Sequence, residues 1–281
     1  MSSRSKTGPG VESWPSDTPT EFDGYSVVRF VAEDSIAKVF IAQEAKHSRV
    51  VALKILKNDS CADRDARKRL EKDVRAAADI VHPNVARVYK TGRLSNGMSY
   101  IADEYVGGRA VADLMSDART MEESMRILMG LARALKAAHA KGFAHGNLNA
   151  NNVFIERDSG RVIVKDFEMR SLSRAIGATS ADDILSFGKL ANELLPASAT
   201  EPSLTQALAK CLENDPDARP TAGELARLLD DGKPAEPLLT SKQSTQRAAE
   251  LSLMRVAVIG ALFFVVLGVV VALWILVGVQ F

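Results

Sequence analysis

The pattern of apolar and polar positions divides this chain into an alternating first half and a helical second half. Residues 25–110 read mainly as short β-branched strands interrupted by one helix. KVFIAQE (38–44) and VVALKIL (50–56) alternate well enough to pair, with AKHSR (45–49) as the turn between them. In the helix after Ser60, the residues Ala66, Leu70, Val74, Ala77 and Val81 recur at spacings of three and four, which predicts one apolar stripe facing the sheet. Residues 111–230 read mainly as helices. Thr120 with Glu123 forms a capping-box pattern ahead of MRILMGLARALKAAHA, and Thr221 with Glu224 repeats it just after Pro220. NVFIE and VIVKDF form a further strand pair turned by DSG, with Asp166 ending the second strand near Asn152.

The two ends follow different rules. Residues 1–22 are polar and rich in Ser, Pro, Thr and Gly, which predicts a disordered arm with no signal peptide. From Val256 to Val279 no residue is charged, and as a helix this stretch would run about 36 Å, enough for a hydrocarbon core of ~30 Å. Residues 255–280 are therefore predicted to be a transmembrane helix, and the polar residues 231–254 a linker. Lys242, Arg247 and Arg255 precede the span and no charge follows it. The positive-inside rule then predicts a single-pass, tail-anchored protein whose N-terminal part is cytoplasmic.

Composition narrows the partners. A net charge of +1, without a basic stripe, excludes the electrostatic footprint of a nucleic-acid binder. The 2 cysteines, Cys61 and Cys211, lie far apart with no CxxC pattern, which argues against a disulfide framework or a zinc site.

The candidate chemistry starts at VALK (51–54), where Lys54 sits inside a β-branched run and requires an anionic partner if buried. Asn152 and Asp166, on opposite sides of the predicted hairpin, could hold a divalent metal, with Lys54 as a phosphate clamp. With these, HPNV (82–85), DEYVGG (103–108), HGNLNANN (145–152), DFE (166–168), Asp183 in DDILSFG and Arg219 in DPDARP stand in the order of a protein kinase. From Tyr25 to about Leu229 the chain resembles the bacterial Ser/Thr type. HGN is as near to the HGD loop of small-molecule phosphotransferases as to HRD, but the hinge, HPN and helix F segments favour the protein-kinase branch. The resemblance implies an α+β, bilobal fold over residues 23–230, with a β-rich N-lobe to about residue 106 and a mainly helical C-lobe from about 107. It also implies ATP with Mg²⁺ as ligand, Val39, Ala52, Lys54, Glu104, Val106 and Phe154 around the nucleotide, Asn152 and Asp166 on the metal, and structural roles for His145, Phe167, Asp183 and Arg219.

Several family positions are altered. Asn147 replaces the loop aspartate that accepts the substrate proton, and a carboxamide is not a useful base near pH 7, so general-base help of ~10²- to 10⁴-fold is lost. Asn149 replaces the loop lysine. AEDSIAKV (32–39) stands where the resemblance places GxGxxGxV and holds no glycine, and Asp34 would repel phosphate. Asp73 stands for the helix C glutamate, one methylene shorter. Asp103 occupies the gatekeeper position. Asp183 follows Asp166 by only 17 positions, so the peptide-binding part of the activation segment is missing. The combination predicts a membrane-anchored pseudokinase, with weak or no ATP binding, that acts on protein partners as scaffold or allosteric regulator. An active atypical Ser/Thr kinase and a nucleotide-responsive sensor without turnover are the alternatives. Lys54 is expected to pair with Asp103, Asp73 or Asp166; whether Lys54, Asn152 and Asp166 form a folding network or a weak nucleotide site stays open at this level.

Overall fold

Alternation on β3 (Ala37–Glu44) and β4 (Arg49–Leu56) produces an antiparallel pair with Val39 opposite Lys54 and Ile41 opposite Ala52. The computed structural model describes residues 21–230 apart from 23, 58–63, 96, 118, 173–176 and 197–200. The odd positions of β4, Val51, Leu53 and Ile55, pack with Phe40, Ala42, Tyr100 and Ala102 on one face of the sheet. On the opposite face Leu56 packs with Leu70, Val74 and Ile101. Period two therefore sends Lys54 to the same face as Leu56, towards the helix.

The sheet has the order β1-β2-β3-β4-β6-β5, with β2 at Tyr25–Glu33, β5 at Val88–Arg93 and β6 at Ser99–Glu104. Its first strand, β1 (Glu21–Phe22), corrects the expected end of the N-terminal arm. Phe22 is buried against Phe40, ring centroids 5.6 Å apart, so residues 21 and 22 already belong to the sheet. Helix α1 (Arg64–Ala78) buries Leu70, Val74 and Ala77 as the stripe predicts. Val81 does not belong to that stripe. The helix stops at Ala78, Ile80 turns inward instead, and Val81 is 69% exposed.

After the connection at residues 105–107, a second sheet of β7 (Gly108–Ala110), β8 (Val153–Glu156) and β9 (Val162–Val164) lies on a helical lobe. That lobe contains α2 (Met121–His139), α3 (Ser180–Leu194), α4 (Pro202–Cys211) and α5 (Ala222–Asp230), whose apolar stripes share one core with Val153, Val162 and Val164. Both expected capping boxes form. Thr120 Oγ1 accepts from the Glu123 N–H at 3.1 Å and the Thr120 N–H donates back to Glu123 at 2.9 Å; Thr221 and Glu224 do the same at 3.2 and 2.7 Å.

The described residues all belong to one compact unit. No helix among the described residues is long and apolar enough to cross a membrane. The arm before residue 21, the linker and the predicted span at 255–280 lie outside the described residues.

Gly130 tests how tightly the two sheets and helices are fitted. A Cβ there would lie 2.5 Å from Val162 Cβ, where α2 crosses β9. Glycine to alanine inside a helix ordinarily stabilises by roughly 1 kcal/mol. Here Gly130→Ala is expected to destabilise by about 1–3 kcal/mol through overpacking, read as a lower denaturation midpoint at unchanged slope.

Candidate functional site: a buried lysine among three acids

Strand register positions the centre of the site. Lys54 lies opposite Ile101 and Ala52 opposite Asp103 on the antiparallel β4–β6 pair, which makes Lys54 and Asp103 diagonal neighbours on one face. Lys54 is only 4% exposed and its Nζ lies 2.5 Å from Asp103 Oδ2. From the other lobe come two more carboxylates: Asp166 at 2.5 Å, and Glu168 in the 3-10 turn Phe167–Leu172 that follows it, which also accepts a hydrogen bond from the ammonium. Asp166 takes a left-handed φ of 69°, which turns the chain sharply into this segment.

Of the three expected partners, Asp103 and Asp166 pair with Lys54 and Asp73 does not. Its Oδ2 accepts the Ser171 N–H at 2.8 Å, while Met169 and Leu172 pack against the Leu70 and Val74 face of α1. The segment after Phe167 lies where the helix would have to move inward for a short aspartate to reach Lys54. Glu168, which the sequence reading does not name, takes that place. Its signal was the third letter of DFE, a charged residue at the position of the family glycine.

Burial and charge act against each other here. Burial alone would lower the Lys54 pKa, but Asp103, Asp166 and Glu168 together hold the ammonium well above its ordinary range. Burial, and then the charge of Glu168, push Asp103 well above the carboxylate range against the pull of Lys54. Asp166 is also desolvated, yet Lys54 and Lys165 bring it down from 3.8 to about 2. The linkage signs are opposite. Asp166, depressed in the fold, contributes stability present above pH 3.8 and lost as pH falls through about 2. Asp103, raised in the fold, contributes stability present below 3.8 and lost as pH rises towards its folded value.

The strand turn over the cleft is closed on itself. Asp34 Oδ1 accepts the backbone N–H groups of Ile36 at 2.7 Å and Ala37 at 2.8 Å, and the Asp34 N–H donates to Ala37 O at 3.0 Å. A carboxylate thus occupies N–H groups that a phosphate would otherwise need. Beneath it, Val106 is buried with Ala86 and Ile163, and Phe154 packs against them. Lys165 Nζ lies 4.3 Å from the Phe154 ring centroid, a cation–π contact. Ala52 is buried and Val39 half-buried. Glu104 uses its N–H and carboxylate within the protein: the N–H donates to Arg87 O at 2.7 Å, and the carboxylate accepts the Arg87 N–H at 3.0 Å and Arg161 at 3.0 Å. The Ile36 and Ala37 N–H groups are thus paired with Asp34, and the Lys54 ammonium with three acids.

The loop at 145–152 is anchored from below. Asp183 is buried and accepts the N–H of His145 at 2.7 Å and of Gly146 at 2.8 Å, while His139 Nε2 lies 2.8 Å from it. The His145 ring lies 2.8 Å from Lys165 O and packs on Phe167 with centroids 4.6 Å apart. Gly146 adopts φ 75°, a conformation costly for the arginine of an HRD sequence. Asn147 is exposed, and its carbonyl accepts the side-chain amides of Asn149 and Asn152, each at 2.9 Å. Asn149 also caps the Asn151 N–H at 2.9 Å, so at the loop-lysine position there is a turn-forming amide. The Lys165 N–H donates to Asn152 O at 2.8 Å, which keeps Asn152 beside Asp166. Arg219 donates to Ala181 O and Glu213 O, each at 2.9 Å, tying α3 to the turn before α5.

Asp103→Asn should flatten the dependence of stability on pH between 3.8 and neutrality, because the carboxyl group that the fold raises no longer titrates. Melting curves of both proteins from pH 3 to 8 check this; an unchanged pH dependence would refute the assigned direction.

The protein kinase domain family matches residues 25–199. The Ser/Thr protein kinase PknJ of Mycobacterium tuberculosis is 30% identical over 162 residues, covering 56% of this chain and 27% of that protein. The probable Ser/Thr protein kinase SCO3848 of Streptomyces coelicolor is 30% identical over 158 residues, 54% of this chain and 23% of that one. The match thus spans about a quarter of the length of these relatives. Among solved structures, the kinase domain of PknI from Mycobacterium tuberculosis is similar at a TM-score of 0.64 and 25% identity, covering 75% of this chain and 96% of that one. Family members generally use ATP with Mg²⁺. With the two lobes, the ordered motifs and the family match in agreement, this chain belongs to the protein kinase domain family, on its bacterial Ser/Thr branch.

Proposed function

We propose that this protein is a membrane-anchored pseudokinase that works by binding protein partners, as scaffold or allosteric regulator, with weak or no ATP binding. The observation that carries the reading is the engagement of Lys54: the ammonium that would clamp phosphate is held by Asp103, Asp166 and Glu168. Asn147 at the proton-accepting position and Asp34 on the loop donors act in the same direction. A nucleotide-responsive sensor without turnover is the second reading, favoured by Asn152 and Asp166 remaining adjacent. An active atypical kinase would need both the phosphate clamp and a proton acceptor to be rebuilt on binding.

Attachment through residues 256–279, with the kinase-like domain on the cytoplasmic side, follows from the uncharged span and the preceding Lys242, Arg247 and Arg255. A membrane-proximal kinase fold would concentrate its protein partners near that surface. Deleting residues 256–281 should move the protein from the carbonate-resistant membrane fraction to the supernatant; unchanged fractionation would remove this part of the proposal.

Nucleotide is expected to leave the melting temperature of the full chain unchanged with either Mg²⁺ or Mn²⁺, and no γ-phosphate should reach a peptide or the protein itself. A shift without transfer would establish the sensor, and transfer abolished by Asp166→Asn would establish an active kinase. Lys54→Met is the internal control. It should destabilise by about 3–5 kcal/mol, because it leaves buried carboxylates without their cation; a lysine reserved for nucleotide would be removed at little structural cost.

A further inference from the structure

Away from the cleft, the six-stranded sheet has an open edge. β1 pairs only with Tyr25 and Ser26, so from Val27 to Glu33 no strand among the described residues covers β2 on that side. Along this stretch β2 bulges twice, and the residues left without a partner on β3 are Val28 and Val31. They are 59% and 41% exposed. Open edges are ordinarily protected by charge, whereas here two apolar β-branched side chains stand three positions apart on one. Arg29, between them, is exposed too and has no carboxylate partner among the described residues.

We propose that this edge is the docking site of the chain's own segment WPSDTPT (14–20), with Trp14 covering the Val28–Val31 ridge and Asp17 pairing with Arg29. The segment leads straight into β1, which runs antiparallel to β2 with Glu21 opposite Ser26. Continued in that register, Thr20 comes level with Val27 and Asp17 with Phe30, next to Arg29. Trp14 is the only aromatic residue among residues 1–21, and seven positions separate it from Glu21. Extended, that tether reaches about 23 Å, while Val31, five positions past Ser26, is at most roughly 18 Å from it. Pro15 and Pro19 lack an N–H, which an outermost strand tolerates because its far side faces solvent. A segment of this composition does not bury enough apolar surface to fold by itself, but an existing edge supplies the missing surface. The short tether also gives the segment an effective concentration of order millimolar at its own β2, which favours it over the same segment of a second copy. Docked there, it closes the strand that leads into the Asp34 turn.

Tryptophan fluorescence of the whole chain tests this, since the sequence holds 2 tryptophans and Trp274→Phe leaves Trp14 as the sole reporter. Its emission should lie to the blue of free tryptophan. Val28→Lys combined with Val31→Lys should move it to the red and raise acrylamide quenching roughly 2-fold, as the indole loses the contact on one face. Val81→Lys, at a valine 69% exposed outside the ridge, should change neither. Asp17→Lys should loosen Trp14 in the same way, and adding Arg29→Glu to it should restore the blue emission. Three results would overturn the proposal: Trp14 emitting like free tryptophan in the parent, a blue emission that survives the paired valine substitutions, or an emission that shifts on dilution, which would seat Trp14 on a second copy. No arm involves nucleotide, so the outcome is independent of the function proposed above.

Discussion

Burying the charge of Lys54 is the constraint around which both lobes are arranged. An ammonium held at 4% exposure would lose far more in hydration than a fold can spare unless acids surround it. Strand register provides the first acid, Asp103, from the neighbouring strand, but that carboxylate is itself buried and pushed towards its protonated form. The other two come from the far side of the cleft, from the turn that begins at Asp166. The lobes are thus joined by an electrostatic demand that neither satisfies alone. The segment carrying Asp166 and Glu168 also places Met169 and Leu172 against α1 and its Ser171 N–H on Asp73, so apolar packing and charge compensation hold the same turn.

The cleft is organised by internal substitutes for the groups a nucleotide would bring. Asp34 satisfies loop N–H groups, Lys54 is satisfied by acids, and Lys165 stacks on Phe154 beside the buried Val106. In a phosphotransferase these donors and cations wait for ligand, and the fold bears the cost of leaving them incompletely paired. Here the chain pairs them itself. The geometry favours rigidity over exchange. Asp183 and Arg219, by contrast, retain partners independent of ligand: loop N–H groups for one and backbone carbonyls for the other.

Local chemistry determined much of this from the residue order alone. Period-two alternation placed β3 and β4, Thr and Glu three apart started α2 and α5, and an isolated lysine in a β-branched strand announced that buried acids had to exist. The loss of a base at Asn147 is equally a property of one residue type at one position in an ordered set of motifs. Only the tertiary structure decided which acids answered Lys54. Asp73 and Glu168 are both carboxylates within reach in principle; the choice depends on where α1 stops, how the turn after Phe167 packs on it, and the left-handed bend at Asp166. The same holds for Asp34, whose charge is visible in sequence but whose two N–H partners depend on the loop closing over it, and for Val81, stranded outside because α1 ends at Ala78. Periodicity and motif spacing report on neighbours along the chain, while the compensation of a buried charge is settled between segments more than a hundred residues apart.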